Sequence, residues 1–235
     1  MMNIFKNYYE SNRYKDMPLT EGRYVVVDTE LTGLDEKKDS IVSIGAVRMT
    51  GGRIDLSDTF HKLINPETAL TAESIIIHGI MPSEVIAEPC IDSVLMEFSQ
   101  FCGTDVIVGH FVSIDMSFIN REMKRITGLP MQNPVLDTFT IYEWIRKRGA
   151  IGNKSDVALP LMRDPKLYKI ARYFEIPFNG GHDAAIDSFI TAQIFQRFIP
   201  MLIESGIQDM EYLLMLDDPF RGGDRFRAAA EMSHF

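Results

Sequence analysis

The chain has 235 residues, 46% hydrophobic and 24% charged, enough for one sizeable α/β core. Its net charge of −9 excludes tight capture of duplex DNA through an overall positive field, though not action on a single strand end. No window approaches a membrane-spanning apolar run and residues 1–20 lack a secretory core, while Cys90 and Cys102 lack partners at zinc-ligand spacing; a reduced, cytoplasmic protein with no membrane association is expected.

The run Tyr24-Val25-Val26-Val27 predicts a buried strand that ends in Asp28-Thr29-Glu30. Side chains two apart on a strand share a face, so Asp28 and Glu30 set two carboxylates side by side at its C-terminal end. That placement is costly unless a cation offsets it. Oxygen donors without Cys or His suit Mg²⁺ or Mn²⁺. Residues 40–49 predict a second strand, and Gly51-Gly52 a hairpin into a third over 53–63, making an antiparallel meander. Pro66 and the polar residues 68–73 end it, and residues 77–80 read as a turn.

Residues 91–101 have helical spacing, with Ile91, Val94, Leu95, Phe98 and Phe101 on one face. A short buried strand over 105–109 leads to a helix over 114–126, closed near Gly128. Val135-Leu136 predicts a brief strand, followed by a helix over 138–148 that Asp137 can cap. Residues 149–163 read as a loop, 166–174 as a helix, about 184–198 as a longer helix, and 209–216 as a helix in the tail. This order predicts an α/β fold of the ribonuclease-H-like kind: a mixed five-stranded sheet, antiparallel meander plus parallel strands, with helices on both faces. The expected division is an N-terminal extension over 1–22, a main domain over 23–200, and a C-terminal helix and tail over 201–235.

Three further segments carry chemistry. Gly109-His110-Phe111-Val112-Ser113-Ile114-Asp115 places a carboxylate at the start of a helix just after a buried strand. Gly180-Gly181-His182-Asp183-Ala184-Ala185-Ile186-Asp187 sets a histidine on a glycine-flanked loop and an aspartate one turn inside the next helix. Ala184 and Ala185 are small enough for that helix to pack closely. The third segment is His78-Gly79-Ile80.

With Asp28-Thr29-Glu30-Leu31-Thr32-Gly33-Leu34, these segments resemble the DEDDh family of 3′→5′ exonucleases. The likeness is nearest to the proofreading epsilon-subunit type of bacterial replicative DNA polymerase, and it covers residues 23–200. It implies hydrolysis assisted by two Mg²⁺ or Mn²⁺ ions about 3.5–4 Å apart. By resemblance, Asp28 bridges both ions, Glu30 and Asp187 complete the site nearest the attacking water, and Asp115 holds the second ion through water. His182 is the implied general base, on a loop that its glycines let swing towards substrate. Thr29, Leu31 and His78 are implied contacts to the terminal nucleotide.

Two positions depart from the family: Phe111 stands where Asn is usual, and Ile114 where an aromatic is frequent. Both flank Asp115 and bear on substrate contacts. The sister group's tyrosine, four before the last aspartate, is Asp183 here. The implied substrate is a single-stranded DNA 3′ end, with an RNA-directed enzyme of the same fold as the alternative, divided by how the pocket treats a 2′-hydroxyl. An inert binding module would have lost a ligand position, whereas all five are present. Residues 208–214 faintly resemble sliding-clamp-binding peptides of polymerase subunits, but the spacing of Met210, Leu213 and Leu214 predicts a packed helix instead, leaving polymerase or clamp association unsupported.

Overall fold

A computed structural model describes residues 13–66, 68–151, 159–162 and 164–216. Strands β1 (Arg23–Leu31), β2 (Ile41–Thr50), β3 (Arg53–Leu63), β4 (Val106–Gly109) and β5 (Val135–Asp137) form one sheet in the order β3-β2-β1-β4-β5. The pairs β1–β2 and β2–β3 are antiparallel, and β1–β4 and β4–β5 are parallel. The ribonuclease-H-like mixed sheet is therefore present, with β1 in the middle where the meander gives way to crossover connections. The described helices are α1 (Ala72–His78), α2 (Pro82–Val85), α3 (Ile91–Cys102), α4 (Ser113–Thr127), α5 (Thr138–Ile151), α6 (Leu167–Tyr173), α7 (Ala184–Glu204) and α8 (Met210–Leu216).

The valine run of β1 is continuous because both of its faces are covered. Tyr24 and Val26 enter one apolar core with α5, α6 and α7; Val25, Val27 and Leu31 enter the other with α3 and α4. All five of these side chains are essentially excluded from solvent. Helices on both faces thus hold β1 rigidly and leave its C-terminal end as the place where polar side chains emerge.

Three expectations need correction. Residues 72–78 are helical rather than part of a polar break and turn. The Thr71 hydroxyl accepts from the Ser74 N–H at 3.1 Å and Gly79, at φ 71°, closes the helix in the left-handed region. Next, α5 runs on to Ile151, so residues 149–151 of the expected loop are helical; positions 152–158 and 163 lie outside the described residues. Finally, α7 continues through Pro200 to Glu204. Pro200 is exposed, so the carbonyl deprived of a donor lies on the watered side, while Ile199 and Leu202 stay buried.

The chain's described ends meet. Leu19 N–H donates to the Gln208 carbonyl at 2.9 Å and Met210 N–H to the Met17 carbonyl at 2.9 Å. Met210 and Leu213 are fully buried in the core that contains Leu19 and Tyr24. The packed-helix expectation holds at Met210 and Leu213.

Candidate active site

Parity along β1 distributes the acidic groups. Asp28 and Glu30 follow Tyr24 and Val26 towards the α7 side, and Thr29 and Leu31 follow Val25 and Val27 towards the α4 side. Asp28 pairs with Gly45 on β2, and a Cβ at Gly45 would lie 2.1 Å from the backbone carbonyl carbon of Ala184. A bare glycine therefore lets the N-terminus of α7 rest directly on the sheet beside Asp28. One turn into α7, Asp187 is buried and reaches the β1 carboxylates. Asp183 caps the helix, accepting from the N–H groups of Ala185 and Ile186 at 3.0 Å each.

Asp28, Glu30 and Asp187 can each offer an oxygen, and these atoms all lie within 4.8 Å of one another. Asp115 comes over the strand end from the other face, in the first turn of α4, and its Oδ1 accepts from Thr29 Oγ1 at 2.6 Å. Thr29 points away from the Asp28–Glu30 pair, as alternation demands, yet its hydroxyl serves the fourth carboxylate. All four acids line one cleft of about 250 Å³ together with Thr29, Leu31 and His182.

The electrostatics of this cluster ask for a cation. Burial raises Asp28, and the charges of Asp115, Asp187 and Glu30 raise it further. Burial, then Asp187 and Asp115, push Glu30 up to about 9. Burial takes Asp115 to about 7 against the opposing Thr29 hydrogen bond, and raises Asp187 as well. Asp187 Oδ1 is buried without a hydrogen-bond partner. An orphaned carboxylate oxygen among all-oxygen donors fits a hard divalent ion such as Mg²⁺ or Mn²⁺.

A pH dependence follows. Glu30 shifts upward from 4.5 to about 9, so the neutral carboxyl's contribution to metal-free stability is complete below pH 4.5 and is lost as pH rises towards 9. Metal-free protein is expected to melt at lower temperature at about pH 8.5 than at about pH 6, with excess Mg²⁺ removing most of the difference. Thermal denaturation with chelator or Mg²⁺ at the two pH values checks this, and Glu30→Gln should flatten the metal-free trend.

His182 sits beside the cluster with its side chain exposed and φ at 60°. Its N–H donates to Tyr168 Oη at 2.6 Å and reaches Asp187 Oδ2 at 3.1 Å. Tyr168 Oη itself donates to Asp187 Oδ2. Sequence reasoning missed Tyr168, which lies near the start of a short helix and belongs to no acidic motif.

Phe111 adopts φ 54°, a left-handed backbone that Asn tolerates better than a bulky residue. This accounts for Asn as the family's usual residue there. Here the strained turn is held by Phe111 N–H donating to Asp137 Oδ1 at 3.0 Å and by ring contacts to Phe139 and His110 at 4.7 and 4.6 Å. From α1, Ile77 lines the cleft. His78 ends the same helix, buried, with Nδ1 accepting from Ile80 N–H at 3.0 Å. Among the basic side chains, Arg121, Arg125, Arg146, Lys147 and Lys169 are engaged in ion pairs, and Lys166 lines the cleft.

Comparison with known proteins bears on this geometry. The Exonuclease family (RNase_T) matches residues 25–195. The chain is 32% identical over 200 residues to DNA polymerase III subunit epsilon of Aquifex aeolicus, covering 85% of this chain and 92% of that one. PolC-type DNA polymerases III also match, but the chain spans only 12–14% of their length. Among solved structures, Exonuclease X bound to 5′-overhanging duplex DNA superposes with a TM-score of 0.59 at 20% identity, over 83% of this chain and 99% of that one. E. coli Exonuclease I with a dT13 oligonucleotide gives 0.64 at 16% identity, over 78% and 42%. At those identities the two structures speak for the fold.

Proposed function

Since this chain belongs to the Exonuclease family (RNase_T), we propose that it is a metal-dependent 3′→5′ exonuclease of the DEDDh type, releasing mononucleotides from single-stranded DNA ends. The observation that carries the reading is the convergence of Asp28, Glu30 and Asp187 within 4.8 Å, with Asp115 lining the same cleft. The likeness to a DNA polymerase III epsilon subunit favours DNA, and with it a cytoplasmic role in proofreading or repair. No described helix is long and apolar enough to cross a membrane.

Asp28, Glu30 and Asp187 would hold the cations, with Asp115 available from the same cleft. Bound Mg²⁺ or Mn²⁺ supplies charge neutralisation and a more acidic water. His182, which lines the cleft, takes the proton from the attacking water. Thr29 keeps Asp115 oriented through its hydroxyl. Leu31 and Ile77 provide an apolar wall on which a terminal base can rest.

The test is a pair of end-labelled oligomers of one sequence, as DNA and as RNA, with Mg²⁺ or Mn²⁺. A 3′ label is expected to appear first as mononucleotide, and a 5′ label to report a descending ladder, with DNA consumed faster. Faster loss of RNA would reassign the enzyme as an exoribonuclease, and no release from either would end the nuclease reading.

A further inference from the structure

We propose that Tyr168 is a positioning residue of this site, its hydroxyl holding Asp187 and the His182 backbone so that one Asp187 oxygen is left facing the cation. The inference rests on the exonuclease reading above and adds to it a residue outside the acidic motifs. Tyr168 Oη donates to Asp187 Oδ2 and accepts the His182 N–H at 2.6 Å. The same N–H reaches Oδ2 at 3.1 Å, so Oδ2 is committed to two donors. Oδ1 is buried and has no hydrogen-bond partner. A carboxylate pinned at one oxygen cannot rotate, and its free oxygen keeps a fixed direction.

The surroundings are built around that hydroxyl. The Tyr168 ring stacks on Phe178 at 5.2 Å and meets the His182 ring edge-on at 5.5 Å. A Cβ at Gly181 would lie 2.7 Å from Tyr168 Oη, so any larger residue there would have to displace the hydroxyl or the loop. Both hydroxyl contacts therefore go to residues of the proposed chemistry, one the carboxylate and the other the backbone of the base. Partners that orient metal ligands typically change metal affinity by 10–100-fold when lost.

The experiment titrates Mn²⁺ into the metal-free full chain, following bound Mn²⁺ by electron paramagnetic resonance and the thermal midpoint in parallel. Tyr168→Phe keeps the ring and removes the hydroxyl, and should need about 10–100-fold more Mn²⁺ for half-saturation. In an Asp187→Ala background the same change should matter by less than about twofold, because the group it positions is gone. An unchanged Mn²⁺ midpoint in Tyr168→Phe, or an equal loss in both backgrounds, overturns the inference. Should Tyr168→Phe fail to fold, Gly181→Ala crowds the hydroxyl instead and must weaken Mn²⁺ binding; a parent-like midpoint there overturns it too. A parent chain that binds no Mn²⁺ overturns both this inference and the exonuclease reading, whereas parent binding with an unmoved Tyr168→Phe overturns this one alone.

Discussion

Asp28→Ala is expected to leave no measurable mononucleotide release, and to do so with little cost to the fold. Burial raises Asp28, and the charges of Asp115, Asp187, Glu30 and Asp183 raise it further. Removing it relieves repulsion in the metal-free protein and simultaneously deletes a ligand proposed to hold the cations. Metal-free thermal stability should therefore hold or rise while activity and Mn²⁺ binding disappear together. His182→Ala should behave differently, slowing release by on the order of 10²–10⁴-fold while Mn²⁺ still binds, because only the proton acceptor is lost. Single-turnover release from labelled strands, with Mn²⁺ binding measured alongside, separates the two variants. Residual release in Asp28→Ala near that of the parent would remove the basis for the metal assignment.

Gly45→Ala should be the most damaging small change in the sheet. Its Cβ would lie 2.1 Å from the carbonyl carbon of Ala184, a contact with backbone that no side-chain rotation relieves. Either β2 or the N-terminus of α7 must move, at a cost of about 3 kcal/mol or more. For a chain of this size that corresponds to a fall in melting temperature of roughly 6–12 °C. Because α7 carries Asp187, the displacement should also reduce turnover, in keeping with losses of about 10²-fold for a misplacement of about 1 Å. Gly52→Ala is the control: nothing lies within 4 Å of its Cβ position, and a change within about 0.5 kcal/mol is expected. Equal melting temperatures for the two variants would show that α7 does not depend on this close approach.

Much of this architecture could be read from the chain before folding it. The buried β1 follows from its continuous valine run, the mark of a strand covered on both faces, and the shared side of Asp28 and Glu30 follows from the period of two along it. Asp187 is legible through the resemblance of the His182–Asp187 segment to the exonuclease motif, which sets it one turn inside the helix. Residues 72–78 were harder, since Ile75, Ile76 and Ile77 in succession carry no helical period and Ile76 is left 83% exposed. The usable signals were Thr71 and Gly79 at the two ends. Tyr168 had no signal of its own. Its role depends on a contact across 19 positions to Asp187, and nothing local distinguishes a tyrosine that packs from one whose hydroxyl is recruited. Phe111 illustrates the converse: the sequence flags an unusual residue, but only its φ of 54° explains why Asn is common there.

The antiparallel bridge between Pro18 and Asp209 has a practical consequence. It lies against Tyr24, whose hydroxyl donates to the Leu19 carbonyl, at the opposite tip of β1 from the acids. Six residues of strand separate Tyr24 from Glu30, about 20 Å at the usual rise per residue. A handle inserted beside the Pro18–Asp209 bridge would thus attach at the end of β1 away from the acidic cleft.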